Sequence, residues 1–155
     1  GWEERDDEIY PSEISFHFNV RIDGALMCEG QILLSDERVK DFSFTKLAGG
    51  GLEFGEGTID CLKREFLEET ALEVEVLRHL YTTDFFQTSA FDPNHQVMSV
   101  YYVVKAEELK SIRPIEAQEA NQQLKWIKLS DLSEGHFTFP IDKKIVPELK
   151  RLGEE

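Results

Sequence analysis

Three glutamates, Glu65, Glu68 and Glu69, lie in one short run, Arg64-Glu65-Phe66-Leu67-Glu68-Glu69. At about 100° of rotation per residue, they fall within roughly 100° of one another on a helix. Ile59, Leu62 and Phe66 form the apolar stripe of the same helix, and Glu69 lies only about 20° from Leu62. A helix built for solubility turns its acids outward and mixes them with lysines four residues on. Here like charges crowd beside the buried edge, so a cation is needed to relieve them. Hard divalent ions take oxygen ligands, and magnesium binds one or two carboxylates while keeping places for water and substrate phosphates. Arg64, four residues before Glu68, is spaced to hold that carboxylate by a salt bridge. It supports the chemistry without performing it.

The elements that must position these acids can be read outward from the helix. Gly49-Gly50-Gly51, then Gly55 and Gly57, form loops that let the backbone approach a ligand closely, and a carbonyl from such a turn can complete a metal shell. Gly50 and Gly51 are therefore candidates for substrate contact. Thr58 is expected to cap the helix, which runs to about Thr70. Upstream, every even residue from Ile14 to Ile22 is apolar, the period of a half-buried strand over Glu13 to Asp23. Ala25 to Leu34 and Asp41 to Leu47 read as further strands, with Asp23-Gly24 and Ser35-Asp36-Glu37 as the turns between them and the glycine triplet ending the pattern. Downstream, Glu73 to Thr83, Gln96 to Lys105 and Gln123 to Leu129 read as strands, Thr88 to Asn94 as a surface loop and Lys110 to Asn121 as a polar connection. Pro140 to Leu152 has helical spacing, with Pro147 as a disturbance. The expected architecture is a mixed α/β or α+β sandwich, a sheet packed with helices.

Composition bounds the function. With 155 residues, 41% of them hydrophobic and 11 of them phenylalanine, the chain can bury one core, so a single domain is expected, residues 1–12 being a tail whose Gly1 reads as a remnant of tag removal. Acids number 31 against 17 basic residues, a net charge of −14 that repels DNA and RNA polymers. A small phosphate compound is compatible, because bound divalent cations invert the local field. There is neither a membrane-spanning run nor a signal peptide at the amino terminus, and the two cysteines, Cys28 and Cys61, suit neither a disulfide framework nor a thiolate metal site. A cytoplasmic protein with reduced thiols is the expectation. Phe85, Phe86, Phe91, Tyr101 and Tyr102 have the chemistry to stack on a nucleobase, although strand settings favour core packing; Phe85 is the substrate-contact candidate among them.

Written out, Gly50, five residues, Glu56, seven residues, then Arg64-Glu65-Phe66-Leu67-Glu68-Glu69-Thr70-Ala71-Leu72 resembles the Nudix box, matching eight of nine specified positions over 23 of the 155 residues. The departure is Ala71, where the family has glycine; if that position is left-handed, alanine costs on the order of 1 kcal/mol. Resemblance to Nudix hydrolases implies an α/β/α sandwich. It also implies attack by water on a phosphorus of a nucleoside diphosphate linked to another moiety, with Mg2+ or Mn2+ as cofactor. By that resemblance Glu65, Glu68 and Glu69 are metal ligands, the Gly49 carbonyl adds a further ligand, and Glu56 is supportive. The general base is either a box glutamate or an acid of the downstream loop, where Glu119 is preferred to Glu116. The substrate is then a small nucleotide-type compound, and a homodimer is left open. The alternative is a non-catalytic nucleotide-sensing or protein-binding module on the same fold, which only Ala71 favours. No marker for one substrate appears, so ADP-ribose, a nucleotide sugar, a dinucleoside polyphosphate and a triphosphate all remain candidates.

Overall fold

The computed structural model describes residues 15–154. Six strands form one mixed sheet: β1 (His17–Cys28), β2 (Gln31–Val39), β3 (Phe42–Gly51), β4 (Glu75–Thr82), β5 (His95–Lys105) and β6 (Gln122–Lys128), in the order β4-β5-β1-β3-β2-β6. The β1–β5 pairing is parallel, running in register from His17 opposite His95 to Leu26 opposite Val104, and the other pairings are antiparallel. Helix α1 (Thr58–Thr70) lies on one face and the short helices α2 (Pro140–Lys143) and α3 (Val146–Leu152) on the other. The expected layered α/β architecture is therefore present. Alternation along the strands sends Ile22, Leu26 and Leu33 to the α1 side, with Leu62 and Phe66, and Ala25, Ile32 and Leu34 to the α3 side, with Ile145 and Leu149.

Several expectations for turns are corrected. Asp23-Gly24 is not a turn but the middle of β1. Gly24 is small because α1 presses on it: a Cβ there would stand 2.6 Å from Phe66 Cε2. The reversal comes instead at Glu29-Gly30, whose φ angles of 50° and 77° are the pair of positive values that a tight two-residue hairpin needs. Ser35-Asp36-Glu37 likewise lies inside β2, paired with β3 and β6. The glycine triplet, expected to end the strand pattern, lies inside β3 and pairs with β1, Gly49 with Asp23 and Gly51 with Arg21. Thr58 is the first helical residue, with Gly57 at the cap position. Of the expected half-buried strand, Val20 and Ile22 do pack toward α1, but Phe16 and Phe18 are exposed; Glu13, Ile14 and the tail expected at 1–12 lie outside the described residues. Pro147 falls in the first turn of α3, so the expected closing helix is split into two. No helix among the described residues is long and apolar enough to cross a membrane.

Candidate active site

Arg64 is the hub of the loop and helix that were expected to do the chemistry. Its Nε and Nη2 donate to the two oxygens of Glu56 at 3.0 and 2.7 Å, and its Nη1 donates to Glu65 at 2.8 Å and to Glu68 at 3.2 Å. Nη2 also reaches the Gly51 carbonyl at 3.2 Å. One planar cation thereby ties the glycine-rich loop to the outer face of α1, as a guanidinium fork does well. These bonds hold the Glu56 carboxyl down at about 2 and raise the Arg64 guanidinium further above its ordinary range. Glu56 is in this way paired with Arg64 through both its oxygens. Gly50 is bare for a reason visible here: a Cβ would fall 2.3 Å from the carboxyl carbon of Glu65. The glycine's contribution is room for that carboxylate.

Glu69 points elsewhere. Close to Leu62 on the helical wheel, it turns inward and is 6% exposed. Its Oε2 accepts from the Gly49 amide at 3.1 Å and its Oε1 from Gln122 Nε2 at 2.6 Å. Burial pushes its carboxyl up to about 7, against the opposing pull of Lys46 and of the Gln122 bond. The Gly49 carbonyl also has a partner, Lys46 Nζ at 3.1 Å. The three glutamates therefore share a helix face but not one focus, and among the described residues no group of three or more His, Cys, Asp or Glu side chains is gathered for a metal ion. The fit to a hard cation is carried by the outer pair. Glu65 and Glu68 already converge on one positive group, Arg64 Nη1, and both supply carboxylate oxygens.

The downstream connection is brought to the same place. Gln118 N donates to the Glu69 carbonyl at 2.9 Å, and Gln122 holds the Glu69 side chain. Glu119 thus sits between the two residues that touch Glu69, with its side chain exposed and its carbonyl accepting from Gln122 N at 3.3 Å. Glu116 is exposed as well, its carbonyl bonded by Gln118 Nε2.

On the α3 side of the sheet is a cavity of about 170 Å3. Asn19, Arg21 and Asp23 of β1 line it, together with Phe91, Phe139 and Asp142. Phe91 and Phe139 each contact the Phe42–Phe44 pair, so both rings are held by a larger aromatic group. Asp23 and Asp142 are buried, and burial raises both carboxyl pKa values. Tyr101 OH donates to Asp142 Oδ1 at 2.6 Å. Phe85, the expected stacking residue, does not line this cavity; the neighbouring Gln87, Thr88 and Ser89 do. Sequence reasoning missed Arg21, Asp23, Phe139 and Asp142 because they meet only through the parallel β1–β5 pairing and the chain's return at α2. One signal was available: Asn19, Arg21 and Asp23 are the polar, odd-numbered face of the strand whose even face was read as core.

A NUDIX domain family model matches residues 18–149. Among solved structures, the chain superposes on a MutT protein from Methanosarcina mazei with a TM-score of 0.71 at 14% identity, covering 92% of this chain and 100% of that one. A NUDIX hydrolase from Nitrosomonas europaea aligns with a TM-score of 0.68 at 16% identity, over 87% of this chain and 90% of that one. An ADP-ribose pyrophosphatase from Streptococcus suis aligns with a TM-score of 0.59 at 19% identity, over 88% and 92%.

Proposed function

Because the chain belongs to the NUDIX domain family of hydrolases, we propose that it cleaves the diphosphate linkage of a nucleoside diphosphate joined to another moiety, by attack of water on phosphorus. The observation that carries this reading is the Arg64 knot, which fixes the carboxylates of Glu56, Glu65 and Glu68 and the Gly51 carbonyl around one helix face. In this reading Glu65 and Glu68 hold Mg2+ or Mn2+, which when bound neutralises the diphosphate and lowers the pKa of the attacking water. Gly50 keeps the space that the Glu65 carboxylate needs, and Arg64 orients both acids. Glu69, through the Gly49 amide, keeps the glycine loop in register with α1. Glu119 is the candidate for receiving the proton of the attacking water, since its neighbours dock on the acidic end of the helix. The nucleoside is assigned to the cavity on the α3 side, where Phe91 and Phe139 offer ring faces and Arg21, Asp23 and Asp142 offer polar contacts.

Nothing in the geometry favours the non-catalytic alternative. Ala71, its sole support, adopts the left-handed conformation that glycine would take, with φ 60° and ψ 17°, so the exit from the helix is kept. The test is a panel of nucleoside diphosphate sugars, dinucleoside polyphosphates and nucleoside triphosphates incubated with Mg2+, with products identified by 31P NMR. We expect turnover of at least one class, falling on the order of a hundredfold in Glu65→Gln. Absence of any product, or a Glu65→Gln chain as active as the parent, overturns the reading.

A further inference from the structure

A second cavity, of about 470 Å3, has Phe44 as a wall, and the same ring contacts Phe91 and Phe139 of the nucleoside pocket. That size is within the range of about 300–1,000 Å3 usual for small-molecule sites. Asp36, Glu37 and Arg38 of β2, Ser43 of β3, and Asn121 and Gln122, which follow Glu119, give it a polar lining. Gln122 ties this cavity to the acidic helix. Its Nε2 donates to Glu69 Oε1 at 2.6 Å and to Ser35 Oγ at 2.7 Å, which spends both amide protons. These two bonds belong to a buried ring: Ser35 Oγ donates to Glu37, Glu37 pairs with Lys46 Nζ at 3.3 Å, Lys46 donates to the Gly49 carbonyl, and Gly49 N donates to Glu69. The ring fixes the amide in one orientation. Its remaining atom, Oε1, has no hydrogen-bond partner among the described residues, although Gln122 is only 7% exposed. A buried acceptor left open costs stability, so it marks a place where a donor is to arrive.

We propose that this second cavity receives the moiety joined to the nucleoside diphosphate, that the moiety is a sugar, and that Gln122 Oε1 accepts from one of its hydroxyls. The inference rests on the hydrolase reading above for where the diphosphate lies: a nucleoside in the first cavity and a diphosphate at the acidic helix leave the far group beside Gln122 and Glu119. Charge decides what that group is. A third phosphate, or the chain of a dinucleoside polyphosphate, would bring more negative charge against Asp36 and Glu37. The cations at hand are already committed. Lys125 Nζ lies 3.1 Å from Asp36 Oδ2, Lys46 is held by Glu37, and Arg38 Nε donates to the Lys40 carbonyl at 2.9 Å. Removing a phosphate from water without a free cation is costly. A sugar is neutral, and its hydroxyls both donate and accept, which suits a lining of carboxylates, an open amide oxygen and the Ser43 hydroxyl. A site with a buried acceptor of this kind also discriminates against ligands that have no hydroxyl to offer it.

Calorimetric titration in EDTA, where no divalent ion bridges ligand and protein, tests the subsite apart from turnover. The ligands are ADP-glucose, UDP-glucose and GDP-glucose, each set against the diphosphate and the triphosphate of the same nucleoside. In the parent chain, and for at least one nucleoside, the sugar compound should bind on the order of tenfold more tightly than either comparator. Ser43 is exposed and is no member of the Gln122 ring. Ser43→Trp should therefore fill the cavity from its rim and bring that ratio to within about twofold of unity. Two results overturn the inference: no sugar compound binding more tightly than its comparators, or a folded Ser43→Trp that keeps the parent's preference. If Ser43→Trp does not fold, the parent comparison decides alone. The hydrolase reading fails separately, by the absence of any product in 31P NMR when the same compounds are incubated with Mg2+; a sugar preference in EDTA would still establish the subsite, as that of a binding module.

Discussion

A carboxyl buried as Glu69 is has to show its burial in the pH dependence of folding. Its folded pKa, about 7, stands above the ordinary 4.5. The fold therefore favours the protonated form: the penalty is absent below the ordinary value, grows as pH rises between 4.5 and 7, and is fully present above that window. At about 1.4 kcal/mol per pH unit, this amounts to roughly 3 kcal/mol. Urea unfolding in EDTA at pH 4.5 and 7.5 measures it: parent stability relative to Glu69→Gln should fall by that order across the window, and a constant difference would show that Glu69 is not buried as described. Gly50 allows a sharper separation of activity from stability. In Gly50→Ala the new methyl lands on the movable end of Glu65, so the fold survives and the carboxylate is displaced. Turnover should drop on the order of tenfold to a hundredfold, with unfolding free energy changed by only about 1 kcal/mol. A parallel loss of stability and activity would mean that the backbone, and not Glu65, has moved.

At the scale of elements, the bounds of helix α1 are legible in the sequence, because the glycines before it and the box agree on them; its apolar stripe is corrected at Ile59, which is exposed, while Cys61 is buried with Leu62 and Phe66. The acids on it were legible as a set but not in their division. Periodicity puts Glu65, Glu68 and Glu69 on one face, and only packing against β3 and β6 turns Glu69 inward. The strands show the reverse case. Asp23-Gly24 carries turn chemistry by residue type, yet tertiary packing decides: Phe66 of α1 needs the glycine, and Lys46 of β3 needs an acid nearby. Ser35 and Glu37 read as turn residues for the same reason, since their partners, Gln122 and Lys46, are remote in sequence. The helix exit provides the prediction at this scale. Ala71 has φ 60°, a conformation that costs an L-residue with a Cβ but not glycine, and its amide closes the helix onto the Leu67 carbonyl. Ala71→Gly should therefore stabilise the chain by about 1 kcal/mol, partly offset by the greater freedom of glycine in the unfolded state. Denaturant midpoints check it, and a lower midpoint would mean that unfolded-state entropy outweighs the strain.

At the scale of the molecule, the sheet serves two cores. One seats α1 and with it the acids and the Arg64 knot; the other seats α3 and walls the cavity. Both draw on β1, β2 and β5, so the faces cannot melt independently unless those strands come apart. The buried polar ring at Lys46 and Glu69 links α1 to β2, β3 and β6, and Tyr101 links β5 to Asp142 at α2. A cavity made on the α3 face should therefore be felt throughout. Leu149 is fully buried there, with Ile145, Leu34 and Tyr101 in the same cluster. Leu149→Ala should cost about 2–5 kcal/mol, in a single transition seen alike by far-UV circular dichroism and by tryptophan fluorescence, which Trp126 of β6 reports. At temperatures where the variant is still folded, the change should fall on KM, through the cavity that the α3 face walls, more than on kcat, because the outer acids belong to the other face. Two separated transitions, with the α3 face unfolding first, would show instead that the two faces are not coupled.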